Sequence, residues 1–488
     1  MARRSGLFPF AALLALSPAA SAAEITADGA RDLAASLSTY VGREAVEEGI
    51  VTVVPRGESY KVTIDVQRLV GAMVEGTGSV VRLDGELSFE TAPLDDGTWS
   101  MTWVGFPSVS AEYDLPQGRQ SVDYRFGLGE VTGVFDPALA YFSRMERKGG
   151  EFHFTTTDGE TAAFGSMTYD GETITATPAA GGSIDIVASS VIDTLKESAT
   201  RGGTTIFTAL ADRIETEAAI DGLRSLGLRD LLAFAVARKA GERLDAAAGA
   251  ELKDKIRAAL PLFDQMDASG AISRLSVTTP AGPFSAGPIS FSVATTGIAA
   301  EGRYELAFAA EKLVLPALPM PPWSAALLPE GFDLAVAVTG HDLAAPAAMV
   351  IDAMDPTKPE PVDEAVLAAA AERILDPAAG LTLTLAPSRL ASPLYEARFE
   401  GAMSVVPAEP EPAVSGTATV SLSGLDEIMA LMQDHAATDP QAAQAAMGLT
   451  FAKGLAQVEP DGTAVWEIAV AESGAVTVNG QIMVPARK

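Results

Sequence analysis

Apolar and polar residues alternate at every second position in several segments of the chain, the pattern of a β-strand with one buried face. In residues 60–67 the apolar face carries Tyr60, Val62, Ile64 and Val66. In residues 332–339 it carries Phe332, Leu334, Val336 and Val338. The sequence therefore predicts a strand at each place, with the apolar side chains directed into a core.

Aspartate-glycine pairs punctuate the region between residues 80 and 178. A two-residue hairpin turn needs positive φ at both central positions, which Asp tolerates and Gly adopts without steric cost. Each pair therefore predicts a hairpin, and together they predict an antiparallel meander. The pairs are Asp84-Gly85, Asp96-Gly97, Asp158-Gly159 and Asp170-Gly171.

Spacings of three to four residues between apolar positions predict helices elsewhere. The predicted helices lie at residues 30–41, near 195–266, at 362–375 and at 425–435, the last continuing through Pro440 into an Ala-rich stretch that ends near Lys453. Two final strands are expected at 465–470 and 475–484.

These patterns predict an α+β fold built on large, curved, antiparallel β-meander sheets, with a helical insertion and short C-terminal helices. The expected organisation is a signal peptide at 1–22, a helix plus meander at 23–192, a helical segment at 193–268 and a β-rich region at 269–488. The two β regions either share one sheet or form two.

The first 22 residues have the pattern of a secretory signal peptide. Arg3 and Arg4 precede an apolar run from Leu7 to Leu16, and Ala20-Ser21-Ala22 supplies the small residues that a signal peptidase requires. The apolar run is shorter than the roughly 20 residues of a membrane-spanning helix. We therefore expect export to the periplasm, without a membrane span after cleavage.

The charge and the residue composition of the chain exclude some classes of partner and some classes of catalytic or metal site. The formal net charge is −30, so nucleic acids and anionic lipid surfaces are expected to be repelled. The chain contains no cysteine, which excludes thiolate catalysis and thiolate metal sites.

No catalytic, metal-binding or cofactor-binding motif is recognisable. The three histidines are scattered: His153 is expected on a solvated strand face, His341 in a turn and His435 at a helix end. The chain has no Gly-x-Ser-x-Gly elbow, no nucleotide-binding glycine motif and no calcium loop. We expect no cofactor.

One apolar connection is a candidate contact surface for a ligand. Trp323, Leu327 and Leu328 lie in a proline-rich segment, where side chains are more often exposed than inside an element. They would line a groove, cover a sheet edge or pack on the core beneath their own loop.

The C-terminal region, from Pro319 onward, resembles the bacterial envelope family called domain of unknown function 2125. The resemblance is carried by residues 420–432, 449–455, the Asp461-Gly462 pair and residues 476–481. It implies a signal peptide and a long β-rich exported body, and it transfers no catalytic residue.

Two functions are compatible with these observations. The first is a non-catalytic periplasmic protein whose amphipathic sheet binds an apolar ligand, such as a lipid acyl chain, or another envelope protein. The alternative is an exported, glycosidase-like hydrolase that uses a carboxylate pair, which sequence alone cannot locate among 64 acidic residues.

Overall fold

A computed structural model describes residues 25–68, 80–115, 118–238, 243–316, 320–358, 360–374, 380–407 and 412–486. The predicted signal peptide lies outside these residues. The chain forms two compact units, Met1–Met266 with Ile351–Asp363, and Asp267–Val350 with Glu364–Lys488. We call them the first and the second unit.

The first unit combines helices with long strands. Its helices are α1 (Ala27–Val41), α2 (Arg43–Glu47), α3 (Ser225–Val236) and α4 (Ala246–Ala259). Its shorter strands are β1 (Val51–Arg56), β2 (Ser59–Ile64), β3 (Val80–Asp84), β4 (Leu87–Pro93), β5 (Trp99–Gly105) and β6 (Ser108–Leu115). Its longer strands are β7 (Gly118–Asp136), β8 (Tyr141–Asp158), β9 (Thr161–Pro178), β10 (Ile184–Arg201) and β11 (Thr204–Leu223).

The long strands form an antiparallel meander in which each pairs with the next along the chain, from β7 to β11. β7 also pairs with β5 near one end and with β6 near the other. The predicted hairpins at Asp96-Gly97 and Asp158-Gly159 are confirmed. The predicted hairpin at Asp84-Gly85 is wrong, because the strands on either side of it pair elsewhere, β3 with β6 and β4 with β2 and β5.

A line of irregular positions crosses the long strands. Gly149 and Gly150 have positive φ within β8, Asp170 is skipped by the ladder between β9 and β10, and Arg213 has a φ of 37° within β11. The predicted hairpin at Asp170-Gly171 is therefore wrong, because this pair lies inside β9. Bulges bend a strand and increase its twist, so this line bends the sheet.

The main core of the first unit lies where α1 packs on the sheet. Leu37 of the helix and Val62 of the sheet are fully buried, and Phe89 and Met101 of the sheet are only 1% exposed. Thr26 caps the helix by accepting a hydrogen bond from the Gly29 N–H at 3.0 Å. The expected burial of Tyr60 and Val62 is confirmed, whereas Val66 lies beyond the end of β2.

The helical prediction for residues 195–223 is wrong. These residues belong to β10 and β11, whose pairing extends almost without interruption from Ile184 to Leu223. Ala, Leu and Glu favour helices locally, but ladder pairing on both sides of β10 overrides that preference. Gly202 and Gly203 both have positive φ and form the hairpin turn between β10 and β11.

The second unit is a second antiparallel system with short helices. Its strands are β12 (Gln265–Thr279), β13 (Gly282–Ala286), β14 (Ile289–Thr296), β15 (Gly302–Ala310), β16 (Gly331–His341), β17 (Leu381–Ala391), β18 (Glu396–Val406), β19 (Ala413–Ser423), β20 (Gln457–Val458), β21 (Ala464–Val470), β22 (Val476–Val478) and β23 (Gln481–Val484). Its helices are α5 (Ala344–Ala353, whose last three residues belong to the first unit), α6 (Glu364–Glu372), α7 (Leu425–Ala436) and α8 (Pro440–Leu455).

Successive strands pair from β14 to β19, and β19 then pairs with β21, β21 with β22 and β22 with β23. The predicted α+β class with large antiparallel sheets and short C-terminal helices is confirmed. The predicted last strand is divided by a turn at Asn479-Gly480.

Candidate functional site

Strands β14 to β18 place apolar residues directly opposite one another in three rows that run across the strands. Directly opposed residues of paired strands project from the same face of a sheet, so the rows share one face. The first row is Phe291, Phe308 and Leu334. The second row is Val293, Leu306, Val336 and Leu385. The third row is Tyr304, Val338, Leu383 and Met403.

Much of this apolar face is uncovered. Eight of its side chains are 38% to 46% exposed, and we call them the open face: Phe291, Tyr304, Leu306, Phe308, Leu334, Val336, Leu383 and Met403. Large side chains present areas of order 200 Å², so the open face exposes roughly 600 Å². That area lies at the upper end of the roughly 300–600 Å² of the largest apolar patch on typical monomers, which is often functional.

The opposite face of the same strands is polar. Arg303 pairs with Glu305 of its own strand at 2.7 Å. Arg389 and Arg398 both pair with Glu396, at 2.8 and 2.7 Å. These two guanidinium groups lower the pKa of the Glu396 carboxyl by hydrogen bonding. The sheet therefore separates a charged face from a hydrocarbon face.

Cover on the apolar face adjoins a single row, which contains Ala310, Phe332 and Leu422. Helices α7 and α8 pack over Leu422 and Tyr395 through a cluster that includes Ile428, Met432 and Ala442. At the β14 side of the same row, Ile289 and Ala310 are buried in a small cluster with Phe332. The three rows on one side of it, which contain Phe308, Leu306 and Tyr304, remain open.

The predicted contact residues Trp323 and Leu327 lie beside the α7–α8 cluster. Both are half-buried and pack against it, and the Trp323 indole donates a hydrogen bond to the Asp439 carboxylate at 2.9 Å. This bond is the main reason why the pKa of Asp439 is lowered. Trp323 and Leu327 belong to a 3-10 helix, Pro322–Leu327, and Leu328, which follows it, is half-buried. None of the three belongs to the open face.

A second apolar group lies in the first unit. Phe126 contacts Phe106 and Phe152, with ring centroids 4.8 and 5.0 Å apart, and Tyr124 stacks on Phe152 at 5.7 Å. Phe152 is only 6% exposed. These rings pack on one another, so they serve the fold of the long strands more than they offer a free surface.

The histidines lie on separate elements. His153 is exposed and lies 3.2 Å from the Glu151 carboxylate, as expected for a solvated strand face. His341 ends β16, and His435 lies in the last turn of α7. Among the described residues, no three side chains of the metal-ligating types come together.

Several carboxyl groups have shifted pKa values, and the shift is downward. Asp96, Asp355 and Asp461 each accept hydrogen bonds from a threonine two residues further on, which lowers their pKa. A carboxylic general acid needs a raised pKa, because it must stay protonated near neutral pH. These groups therefore stabilise turns and do not supply the acid of a hydrolase.

The sequence predicted the alternation on β16 but not the exposure of its apolar side. Phe332, Leu334, Val336 and Val338 do share one face, yet Leu334 and Val336 are 39% and 38% exposed. No sequence signal identified this exposure, because helices α5 and α6 are at least as apolar as α7 and α8, so composition does not show which helices cover the sheet.

No helix in the described ranges is long and apolar enough to span a membrane. Comparisons with known proteins give no family assignment: no family model, no curated protein and no solved structure matches the chain.

Proposed function

We propose that this protein is an exported lipid-binding protein that holds acyl chains on the open face. The observation that carries the proposal is a set of eight exposed apolar side chains, in register on neighbouring strands and free of charged groups. Burying such a surface against hydrocarbon is favourable by about 25 cal/mol per Å². A ligand that covered it would therefore be bound mainly by the hydrophobic effect.

A hydrocarbon occupant fits this face better than a protein does. Stable protein interfaces bury about 800 Å² per partner and carry about ten hydrogen bonds. The open face exposes roughly 600 Å², and its only side-chain group able to form a hydrogen bond is the Tyr304 hydroxyl. Acyl chains require no hydrogen bonds.

Charge favours lipids without net negative charge. The chain carries a net charge of −30, which repels anionic headgroups. The arginines behind the open face already pair with glutamates, so they contribute little free positive charge. Zwitterionic or neutral lipids are therefore the expected ligands.

Export is the second part of the proposal. Its support is the pattern of residues 1–22, with two arginines, a short apolar run and a small-residue cleavage motif. Expression of the full chain in a bacterium, followed by fractionation, should place a protein shortened by about these residues in the periplasm. A full-length protein in the cytoplasm would contradict export and leave the binding proposal intact.

Binding is tested with phosphatidylcholine vesicles that contain a phosphatidylcholine with a self-quenched fluorescent acyl chain. The wild-type protein should extract the labelled lipid and raise its fluorescence. Leu306→Glu puts a charge in the middle row and should lower the affinity at least tenfold, because a charge against hydrocarbon costs several kcal/mol.

A matched pair of variants controls for charge itself. Met403 belongs to the open face, whereas the neighbouring Ala402 is exposed on the opposite face. Met403→Glu should weaken extraction and Ala402→Glu should leave it unchanged. Equal effects of the two substitutions, or no extraction by the wild type, would contradict the proposal.

A further inference from the structure

Helix α8 carries two of the three most exposed large apolar side chains among the described residues. Met447 is 68% exposed and Phe451 is 64% exposed. They are four residues apart, so they lie one turn apart on the same side of the helix. We call these two side chains the α8 ridge. A Cβ atom on Gly448, next to Met447, would meet no atom within 4 Å, so the space beside the ridge is open.

The ridge lies on the outer side of its helix. Ala442 and Ala446 are buried in the cluster that joins α8 to α7. At 3.6 residues per turn, the ridge points about 140° away from these two alanines. The Thr450 hydroxyl, near the ridge, donates a hydrogen bond to the Ala446 carbonyl at 2.8 Å. The packing of α8 on the rest of the fold therefore leaves the ridge uncovered.

Strand β21 places α8 on the same side of the sheet as the open face. Phe399 shares a face of β18 with Met403, which belongs to the open face. Phe399 opposes Val420 of β19, and Val420 opposes Trp466 of β21. Trp466 therefore projects from the open-face side. Its indole donates a hydrogen bond to the Ala452 carbonyl of α8 at 2.8 Å, so α8 lies on that side.

Helix α8 also differs from the other helices in charge. Each of the helices α1 to α7 contains at least one Asp or Glu, and the whole chain carries a net charge of −30. Helix α8 contains none. Its single charged residue, Lys453, pairs with Asp426 of α7. The ridge can therefore enter an apolar environment without the cost of removing a charge from water.

The size of the ridge favours a lipid surface over a protein partner. Large side chains present areas of order 200 Å², so the two residues together expose roughly 260 Å². A stable protein interface buries about 800 Å² per partner. A bilayer needs no matching shape, because the apolar side of an interfacial helix enters the boundary between headgroups and acyl chains to a depth of about 5–10 Å.

We propose that α8 docks on the surface of a zwitterionic lipid bilayer, with Met447 and Phe451 inserted among the acyl chains. This inference rests on the proposed function, because it identifies the bilayer from which the open face takes its lipid. Since α8 and the open face share one side of the sheet, a lipid that leaves the bilayer beside α8 reaches the open face without passing around the sheet.

Docking is tested by flotation of the full chain with phosphatidylcholine vesicles. The double variant Met447→Gln with Phe451→Gln keeps the charge and the helix propensity of α8 but removes the apolar ridge. Val187→Gln is the matched control, because Val187 is 60% exposed on β10 of the first unit. The wild type and the control should float with the vesicles, and the partition coefficient of the double variant should be at least tenfold lower.

The inference would be overturned if the wild type did not float, or if the double variant floated as well as the wild type. It would also be overturned if sedimentation without vesicles showed a wild-type dimer that the double variant dissociates, because a second copy of the chain would then cover the ridge.

Monomers of a phosphatidylcholine with two hexanoyl chains, below the critical micelle concentration, separate docking from lipid binding. The ridge variant should bind these monomers as the wild type does while floating poorly. Leu306→Glu should lose monomer binding but still float, and its failure to float would overturn the inference by assigning the membrane contact to the open face. A wild type that floats but does not bind the monomers would overturn the proposed function and leave the docking of α8 supported.

Discussion

Asn479, the only asparagine in the chain, is expected to stabilise the C-terminal strands of the second unit. Its amide donates hydrogen bonds to the carbonyls of Leu455 and Val465, at 2.7 and 3.0 Å, and accepts one from the Glu467 N–H at 2.8 Å. Its φ of 47° is left-handed, a conformation that Asn adopts more easily than Ala. One side chain thus joins the end of α8 to β21.

Replacing this residue should have a graded effect. Each hydrogen bond contributes about 1 kcal/mol net, and an alanine with left-handed φ costs about 1–2 kcal/mol. Asn479→Ala should therefore lower the free energy of unfolding of the second unit by about 4 kcal/mol. Asn479→Gly loses the same bonds without the backbone strain, so it should be about 1 kcal/mol more stable than the alanine variant.

Urea unfolding followed by tryptophan fluorescence measures this effect, because Trp466 lies next to Val465 and donates its indole N–H to the carbonyl of Ala452 at 2.8 Å. The midpoint of the transition should decrease in the order wild type, Asn479→Gly, Asn479→Ala. The argument is refuted if the alanine variant stays within 0.5 kcal/mol of the wild type, about the lower limit of a single hydrogen bond, or if glycine is no better than alanine.

Two further predictions concern the rest of the fold. Gly129→Ala should lower the melting temperature, because its methyl group would lie 2.1 Å from the Lys148 carbonyl oxygen. Gly127→Ala in the same strand meets only ordinary contacts, so it should leave the melting temperature nearly unchanged. Equal shifts of the melting temperature in the two variants would contradict this prediction. Trp323→Phe removes the main cause of the lowered pKa of Asp439. The stability that comes from this lowered pKa is present above the pKa of Asp439 in the unfolded chain, and it is lost as pH falls through the pKa of Asp439 in the folded protein. In chemical unfolding, Trp323→Phe should therefore lower the free energy of unfolding more at pH 7 than at pH 3. An equal decrease at the two pH values would contradict this prediction.

The fold was predictable where the pattern is local. The alternation around Tyr60 and Val62 and the hairpins at Asp96-Gly97 and Asp158-Gly159 follow from side-chain period and turn geometry, and all were found. Residues 195–223 were missed because their composition favours helices, whereas pairing with distant strands decides their conformation. Local sequence carries little information about such pairing.

The sequence predicted the type of the candidate site but not the residues that form it. An amphipathic sheet was expected, but the expected contact residues were Trp323, Leu327 and Leu328, and two of these pack against the α7–α8 cluster. The open face depends on register across five strands and on which helices cover them, and neither can be derived from one segment alone. The resemblance of the C-terminal region to domain of unknown function 2125 stays a prediction.

The most direct test of the central claim is an organic extract of the purified full chain after export, analysed by mass spectrometry. The account predicts a lipid without net negative charge in extracts of the wild type and of Ala402→Glu, and a strongly reduced amount with Leu306→Glu. A wild-type extract without lipid, or equal amounts of lipid with all three proteins, would contradict it.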